Sequence, residues 1–155
     1  MNNFGEMQQP SKYPVKIQKA VKDDKEVIIH TSSDGQIGTR YYLHSRNAAD
    51  AVLFILKNTR PYIHRPGETD RPDRYNIVGD TQLSNLELAE TIAKLMNKEL
   101  KYSLVDFHSE QPGHDIHYGL DGSKIRKLGW TAPHSFEESM KNTIEWQEQN
   151  PEWIQ

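Results

Sequence analysis

Apolar and polar positions alternate with two different periods along this chain, and the changes of period mark its elements. The stretch to Pro10 reads as a loop, after which Pro14 suits the first turn of a helix running to about Lys22, with Ile17, Ala20 and Val21 on one side. Val27-Ile28-Ile29-His30 and Arg40-Tyr41-Tyr42-Leu43 are β-rich, and the Asp34-Gly35 between them predicts a hairpin with a longer loop. From Asn47 to Lys57 apolar residues occupy more than one helical face, so a helix there is expected to be covered on several sides. Residues 58–73 hold Pro61, Pro66, Gly67 and Pro72 and predict an irregular, exposed loop.

The second half is punctuated by caps. Tyr75-Asn76-Ile77-Val78 predicts a short strand ending at Gly79, and Ser84 with Glu87 forms the Ser-x-x-Glu pattern of a capping box. Leu88, Ala89, Ile92, Leu95 and Met96 then recur at helical steps through about Asn97, and a strand is expected near Lys101 to Phe107. Asp121 can cap a short helix over Ser123 to Leu128 that Gly129 ends in the left-handed conformation, with Trp130 packing back. Ser135 and Glu138 suggest another capping box, opening a terminal helix to about Gln149 with Phe136, Met140 and Ile144 on one face. No internal repeat interrupts residues 1–155, which are expected to form a single α/β unit.

Composition narrows the chemistry. Hydrophobic residues are 35% of the chain and charged residues 26%, so the core must come from a few concentrated segments. A net charge of −3 offers no basic field for nucleic acid or anionic lipid. The longest apolar run, Ala51 to Leu56, is far short of the ~20 residues a membrane helix needs. Without cysteine there is no disulfide, thiolate nucleophile or Cys-containing zinc site, and the N-terminus lacks a signal-peptide pattern, so a cytoplasmic setting is the expectation.

Catalytic signatures are sought and not found. Gly35-x-x-Gly38 fails as a dinucleotide loop because Tyr41 stands at the next glycine position and the element is not a strand-to-helix turn. No tyrosine has Lys four residues later, and there is no phosphate loop ending in Lys-Ser/Thr, no His-Glu-x-x-His and no Gly-x-Ser-x-Gly. His108, His114 and His117 lie close in sequence but match no standard metal spacing, and solvated or hydrogen-bonded loop histidines explain them more simply. The expectation is therefore no catalytic, cofactor-binding or metal-ligating residue in this chain.

One block is more specific. Gln111-Pro112-Gly113-His114-Asp115-Ile116-His117-Tyr118-Gly119-Leu120-Asp121, then Ser123-Lys124 and Leu128-Gly129-Trp130, resembles the extended short-chain dehydrogenase/reductase family of NAD-dependent epimerases and dehydratases. The nearest branch is that of the dTDP-glucose 4,6-dehydratases, whose pattern runs Arg-Pro-Gly-His-Asp-x-Arg-Tyr-x-x-Asp, Ser-Lys, Leu-Gly-Trp. Asn2-Asn3-Phe4-Gly5, Pro10-Ser11-Lys12 with Pro14, Tyr75-Asn76-Ile77, Asn85-Leu86, Phe136-Glu137 and Thr143-x-Glu-Trp146 match further family blocks in the same order.

The resemblance covers Asn2 to about Trp153 but only the second half of a family member, so the Gly-rich cofactor loop and the Tyr-x-x-x-Lys pair are expected to have been lost by truncation or to sit on another chain. NAD is then expected in the full-length family and not on this chain alone. The resemblance implies a substrate-binding C-terminal portion that grips a nucleoside diphosphate sugar: Asn2 at the diphosphate-sugar, Lys12 and Tyr13 beside the nucleotide, Arg40 on phosphate, Asn85 from the first turn of its helix, and Gln111 and His114 in the Pro-Gly-His block. Gln111 stands where the family has Arg, and His117 replaces a second Arg, which removes charged partners for phosphate. Gly35 to Thr39 reads as part of an insertion beside the base pocket, so base and sugar stay open. The family's counterparts of the 47–57 helix and 75–78 strand pack on the cofactor domain, which implies a cofactor-domain chain or a second copy as partner. A stand-alone binding module and an inert remnant are the other readings.

Overall fold

In the computed structural model, residues 2–59, 74–107 and 115–154 are described. They form a mixed α/β fold around strand β3 (Thr39–His44). Strand β1 (Asn2–Phe4) pairs with β3 in parallel from Asn2 opposite Tyr42 to Phe4 opposite His44. Strand β4 (Thr81–Ser84) pairs antiparallel along β3, with Arg40 opposite Leu83 and Tyr42 opposite Thr81. The two-residue β6 (His117–Tyr118) extends the β1 side beside Thr39 and Arg40. A second sheet has two parallel strands, β2 (Val27–Thr31) and β5 (Tyr102–Asp106).

Helix α1 (Tyr13–Lys22) starts as expected with Pro14 in its first turn and buries Val15, Ile17 and Val21. Helix α3 (Asn85–Leu95) opens on the complete capping box: Glu87 N–H donates to Ser84 Oγ and Ser84 N–H to the Glu87 carboxylate. Helix α4 (Ser123–Lys127) is capped by Asp121, whose carboxylate accepts from Ser123 N–H at 2.8 Å and is thereby held below the usual carboxylate range. Gly129 at φ +99° ends it, and Trp130 turns back, buried, with its indole N–H donating to Asp50 of helix α2 (Ser45–Asn58) at 2.8 Å. Helix α5 (Phe136–Gln149) takes one half of its expected box: Ser135 Oγ accepts from Glu138 N–H, while the Glu138 carboxylate pairs with His134.

The sides of β3 feed two cores. Tyr42 joins Phe4, Ile17, Val21, Leu88, Ile92, Met140 and Ile144. Leu43, one residue on and pointing oppositely, joins Ala51, Ile125 and Trp130. Among the described residues no helix is long and apolar enough to cross a membrane.

Several expectations are overturned. The N-terminal stretch is partly β1, because its three residues complete the free edge of β3. The hairpin does not form. Ser32 to Gln36, with Gly35 at φ +81°, does reverse the chain, but only the single bridge Thr31–Ile37 follows before β2 pairs with β5 and β3 is taken on both edges by β1, β6 and β4. Residues 74–79 are extended without a strand partner; Gly79 lies so close to the Tyr42 carbonyl that a Cβ would overlap it, and pairing begins only at Thr81. Within the chain helix α2 packs through Ala48, Ala51, Phe54 and Ile55, while Val52, Leu53 and Leu56 are exposed, Leu56 at 71%. Of the expected 58–73 loop, Asn58 belongs to α2, Thr59 is its extended cap, and residues 60–73 lie outside the described residues.

His44 caps α2. Its Nδ1 accepts from Arg46 N–H at 3.2 Å and its Nε2 faces the Glu6 carboxylate at 3.3 Å, itself bound by Arg46 at 2.8 Å. Burial pushes the imidazole pKa down, against the pull of Glu6 and with the Arg46 and His134 charges adding to it. A protonated Nδ1 would also lose its acceptor role and sit at the positive end of the helix dipole. The unfolded ring, at about 6.5, therefore takes its proton first on acidification. His44 thus contributes stability that is present above that pH and is lost as pH falls towards the folded value. Melting temperatures measured from pH 7.5 down to 5 should fall more steeply for the wild type than for His44→Asn, which keeps a capping acceptor and removes the titration; equal slopes would place the pH dependence elsewhere.

Candidate functional site

The sequence singles out Asn2, Lys12, Tyr13, Arg40, Asn85, Gln111 and His114. Four of the five that lie within the described residues converge. Asn2, Tyr13, Arg40 and Asn85 line one cavity of about 560 Å³, together with Lys16, Ile17, Ala20, Glu26, Val27, Ile28, His30 and Tyr42. Lys12, the residue before α1, is exposed and does not line it. Gln111 and His114 lie outside the described residues, as does His108.

Periodicity explains who faces the cavity. Tyr13, Lys16, Ile17 and Ala20 are spaced three, four and seven apart and share one side of α1. Arg40 and Tyr42 are two apart on β3 and so lie on the same face of the sheet. Ile28 and His30 are the outward positions of β2, whose Val27, Ile29 and Thr31 are buried. Asn85 is the first residue of α3, where backbone N–H groups and a partial positive charge gather.

The polar network is tight at one end. The Tyr13 hydroxyl donates to the Asn85 carbonyl at 3.4 Å, and burial pushes its phenol well above the ordinary range, so it stays a donor. Burial also raises the Tyr42 phenol, partly offset by its hydrogen bond with Asn2 and by the Arg40 charge. Asn85 N–H donates to the Gly38 carbonyl at 2.9 Å, tying α3 to the start of β3. A Cβ on Gly38 would meet the Ile116 carbonyl at 3.2 Å, so glycine permits this approach of the 115–118 segment.

Arg40 is the hub. Its Nη1 donates to the carbonyls of Thr39 and Ile116, both at 2.8 Å, and its Nη2 to the Asp115 carbonyl at 2.7 Å. The guanidinium also lies 5.8 Å from the centre of the Tyr118 ring. Three of its five N–H donors are thus committed to carbonyls, two of them holding residues 115 and 116 against β3. At the other wall the His30 ring stacks on Phe107 at 4.1 Å.

Of the histidine cluster, His117 alone lies within the described residues. His117 Nδ1 lies 2.8 Å from Thr39 Oγ1 and 3.1 Å from Gln82 Nε2, and no group of three His, Asp or Glu suited to a metal occurs among the described residues. A separate cavity of about 410 Å³, lined by Phe4, Glu6, Met7, Arg46 and Trp146, holds none of the residues singled out from the sequence. Sequence reasoning missed Lys16, Glu26, Ile28, His30 and Tyr42, although Lys16 and Tyr42 follow from Tyr13 and Arg40 by helix and strand periodicity.

No family model matches the chain. A dTDP-glucose 4,6-dehydratase of Streptomyces niveus is 32% identical over 98% of this chain and 41% of its own length. The human dTDP-D-glucose 4,6-dehydratase is 29% identical over 96% of this chain and 40% of its own. The structure superposes on dTDP-glucose 4,6-dehydratase from Streptomyces venezuelae with NAD and TYD bound, with a TM-score of 0.74 at 24% identity, covering 98% of this chain and 43% of that one. A UDP-glucuronic acid 4-epimerase from Bacillus cereus in complex with UDP-glucuronic acid and NAD gives 0.72 at 20% identity, covering 96% and 43%. The chain spans about two fifths of the length of the curated dehydratases it matches. Over nearly the whole of its own sequence, and two fifths of theirs, the chain is homologous to dTDP-glucose 4,6-dehydratases, and its α/β fold is that of the C-terminal portion of extended short-chain dehydrogenase/reductase dehydratases.

Proposed function

We propose that this chain is the nucleotide-sugar-binding portion of a 4,6-dehydratase or epimerase of this family, and that the nucleoside diphosphate lies in the 560 Å³ cavity between α1, β2, β3 and the start of α3. The observation that carries this reading is the convergence of Asn2, Tyr13, Arg40 and Asn85, far apart in sequence, on one cavity. A diphosphate needs cations and N–H donors, and the end carrying Arg40 and the side-chain amides of Asn2 and Asn85 supplies them. The flatter apolar wall of Ile17, Ala20 and Ile28 suits a base or ribose. Arg40 contributes its charge and also anchors the 115–118 segment through the carbonyl bonds above.

Gly35 and Gly38 do not form a dinucleotide phosphate loop. Gly35 sits in the β2–β3 turn rather than at a helix start, and the open side of Gly38 is filled by Ile116, Arg40 and Asn85. No step of a reaction is therefore assigned to residues of this chain; in this reading the cofactor is held by residues outside this sequence. The exposed Val52, Leu53 and Leu56 face of α2 supports a partner, a complementary cofactor-domain chain, with self-association of the isolated chain in its absence.

A thermal-shift panel of dTDP, UDP and GDP sugars, with NAD as control, tests the binding reading. One sugar nucleotide at a hundred times its dissociation constant should raise the midpoint by roughly 5–10 °C while NAD leaves it unmoved. No shift with any of them would leave an inert remnant. For the partner face, sedimentation velocity of the isolated chain should show self-association that Leu53→Glu with Leu56→Glu abolishes; a wild-type monomer at every concentration would refute it.

A further inference from the structure

We propose that Lys16 is the principal cation that meets the diphosphate in this cavity, an assignment that rests on the nucleotide-binding reading and names the group that supplies its charge. Arg40, the obvious candidate, has three of its five donors fixed on the carbonyls of Thr39, Asp115 and Ile116, so no more than two remain for a ligand. Freeing the others would break its bonds to the Asp115 and Ile116 carbonyls, which reinforce the pairing of β6 with β3. Lys12 lies one helical turn earlier than Lys16 and does not reach the cavity wall, whereas Lys16 lines it. Among the described residues Lys16 makes no ion pair, so its ammonium has no competing carboxylate to leave.

The cavity is electrically polar along α1. At one end the Tyr13 hydroxyl touches the Asn85 carbonyl, beside Arg40 and Asn2. At the other, past Ala20, the chain returns through Glu26 into β2, and that carboxylate lines the cavity. An anion is driven from Glu26 towards the Tyr13 end, and Lys16 stands one turn from Tyr13 on the same face. An ammonium on a four-carbon stem is a mobile point charge with three donors, suited to phosphates that rotate in place. Gln111, a neutral amide, cannot supply this charge.

Isothermal titration of the whole chain with UDP, dTDP and GDP, and with the parent nucleosides, tests the assignment in wild type, Lys16→Met, Lys16→Arg and Lys12→Met. The tightest diphosphate should bind Lys16→Met about 10-fold more weakly, with affinity for its nucleoside unchanged and Lys16→Arg restoring most of the loss. Lys12→Met should change little. Lys16 is exposed, and an unchanged melting midpoint checks that the variant folds; if Lys16→Met does not fold, Lys16→Gln carries the same comparison. Diphosphate affinity unaltered in the charge-removing variant overturns the assignment and leaves the nucleotide reading standing. A wild type that binds no nucleoside diphosphate overturns both.

Discussion

The fold and the site depend on one constraint: strand β3 is hydrogen-bonded along both edges, and alternate residues of it must serve different masters. Tyr42 closes the larger core and Leu43 the smaller one, so a slip of one residue would exchange them. The same alternation puts Arg40 beside Tyr42 on the cavity side. Two glycines make the crowding possible, Gly38 under the Ile116 carbonyl and Gly79 against the Tyr42 carbonyl. Placement of the site is thus a consequence of how the sheet is filled.

That placement also sorts the charges. Arg40 is bound into the fold by carbonyls, which makes it as much a structural clamp as a ligand group. Half-buried Tyr13 and buried Tyr42 stay protonated, the first donating to the Asn85 carbonyl and the second hydrogen-bonded with Asn2. The cavity mouth keeps its mobile charges, Lys16 and Glu26, on separate elements. Rigid donors at one end and adjustable charges along the wall suit a ligand with one anionic and one flat end.

Helices were legible because their signals are local. Ser84 with Glu87, Asp121 before Ser123, and Gly129 after α4 each act within a few residues, and each does so in the structure. Strand pairing was not, because it is decided at a distance: Val27–Thr31 reads as half a hairpin until Tyr102–Asp106, far along the chain, is available in parallel. The 75–78 segment has strand-like residues but meets Tyr42 edge-on at Gly79, and β4 starts later. Asn2, Tyr13, Arg40 and Asn85, singled out through the family resemblance, line one cavity in the structure. Lys16 follows from Tyr13 by helix periodicity, whereas Glu26 and His30 carry no motif and became visible only when α1 and β2 were seen to face one another across the cavity.

The central claim is where an activated sugar touches this chain, and backbone amide chemical-shift mapping reads that directly. Titrating a nucleoside diphosphate sugar into the ¹⁵N-labelled chain should move resonances of Asn2, Tyr13, Lys16, Arg40 and Asn85 together, saturating with one affinity. Saturable shifts confined to the Glu6, Arg46 and Trp146 cavity, with those five unmoved, would contradict the account.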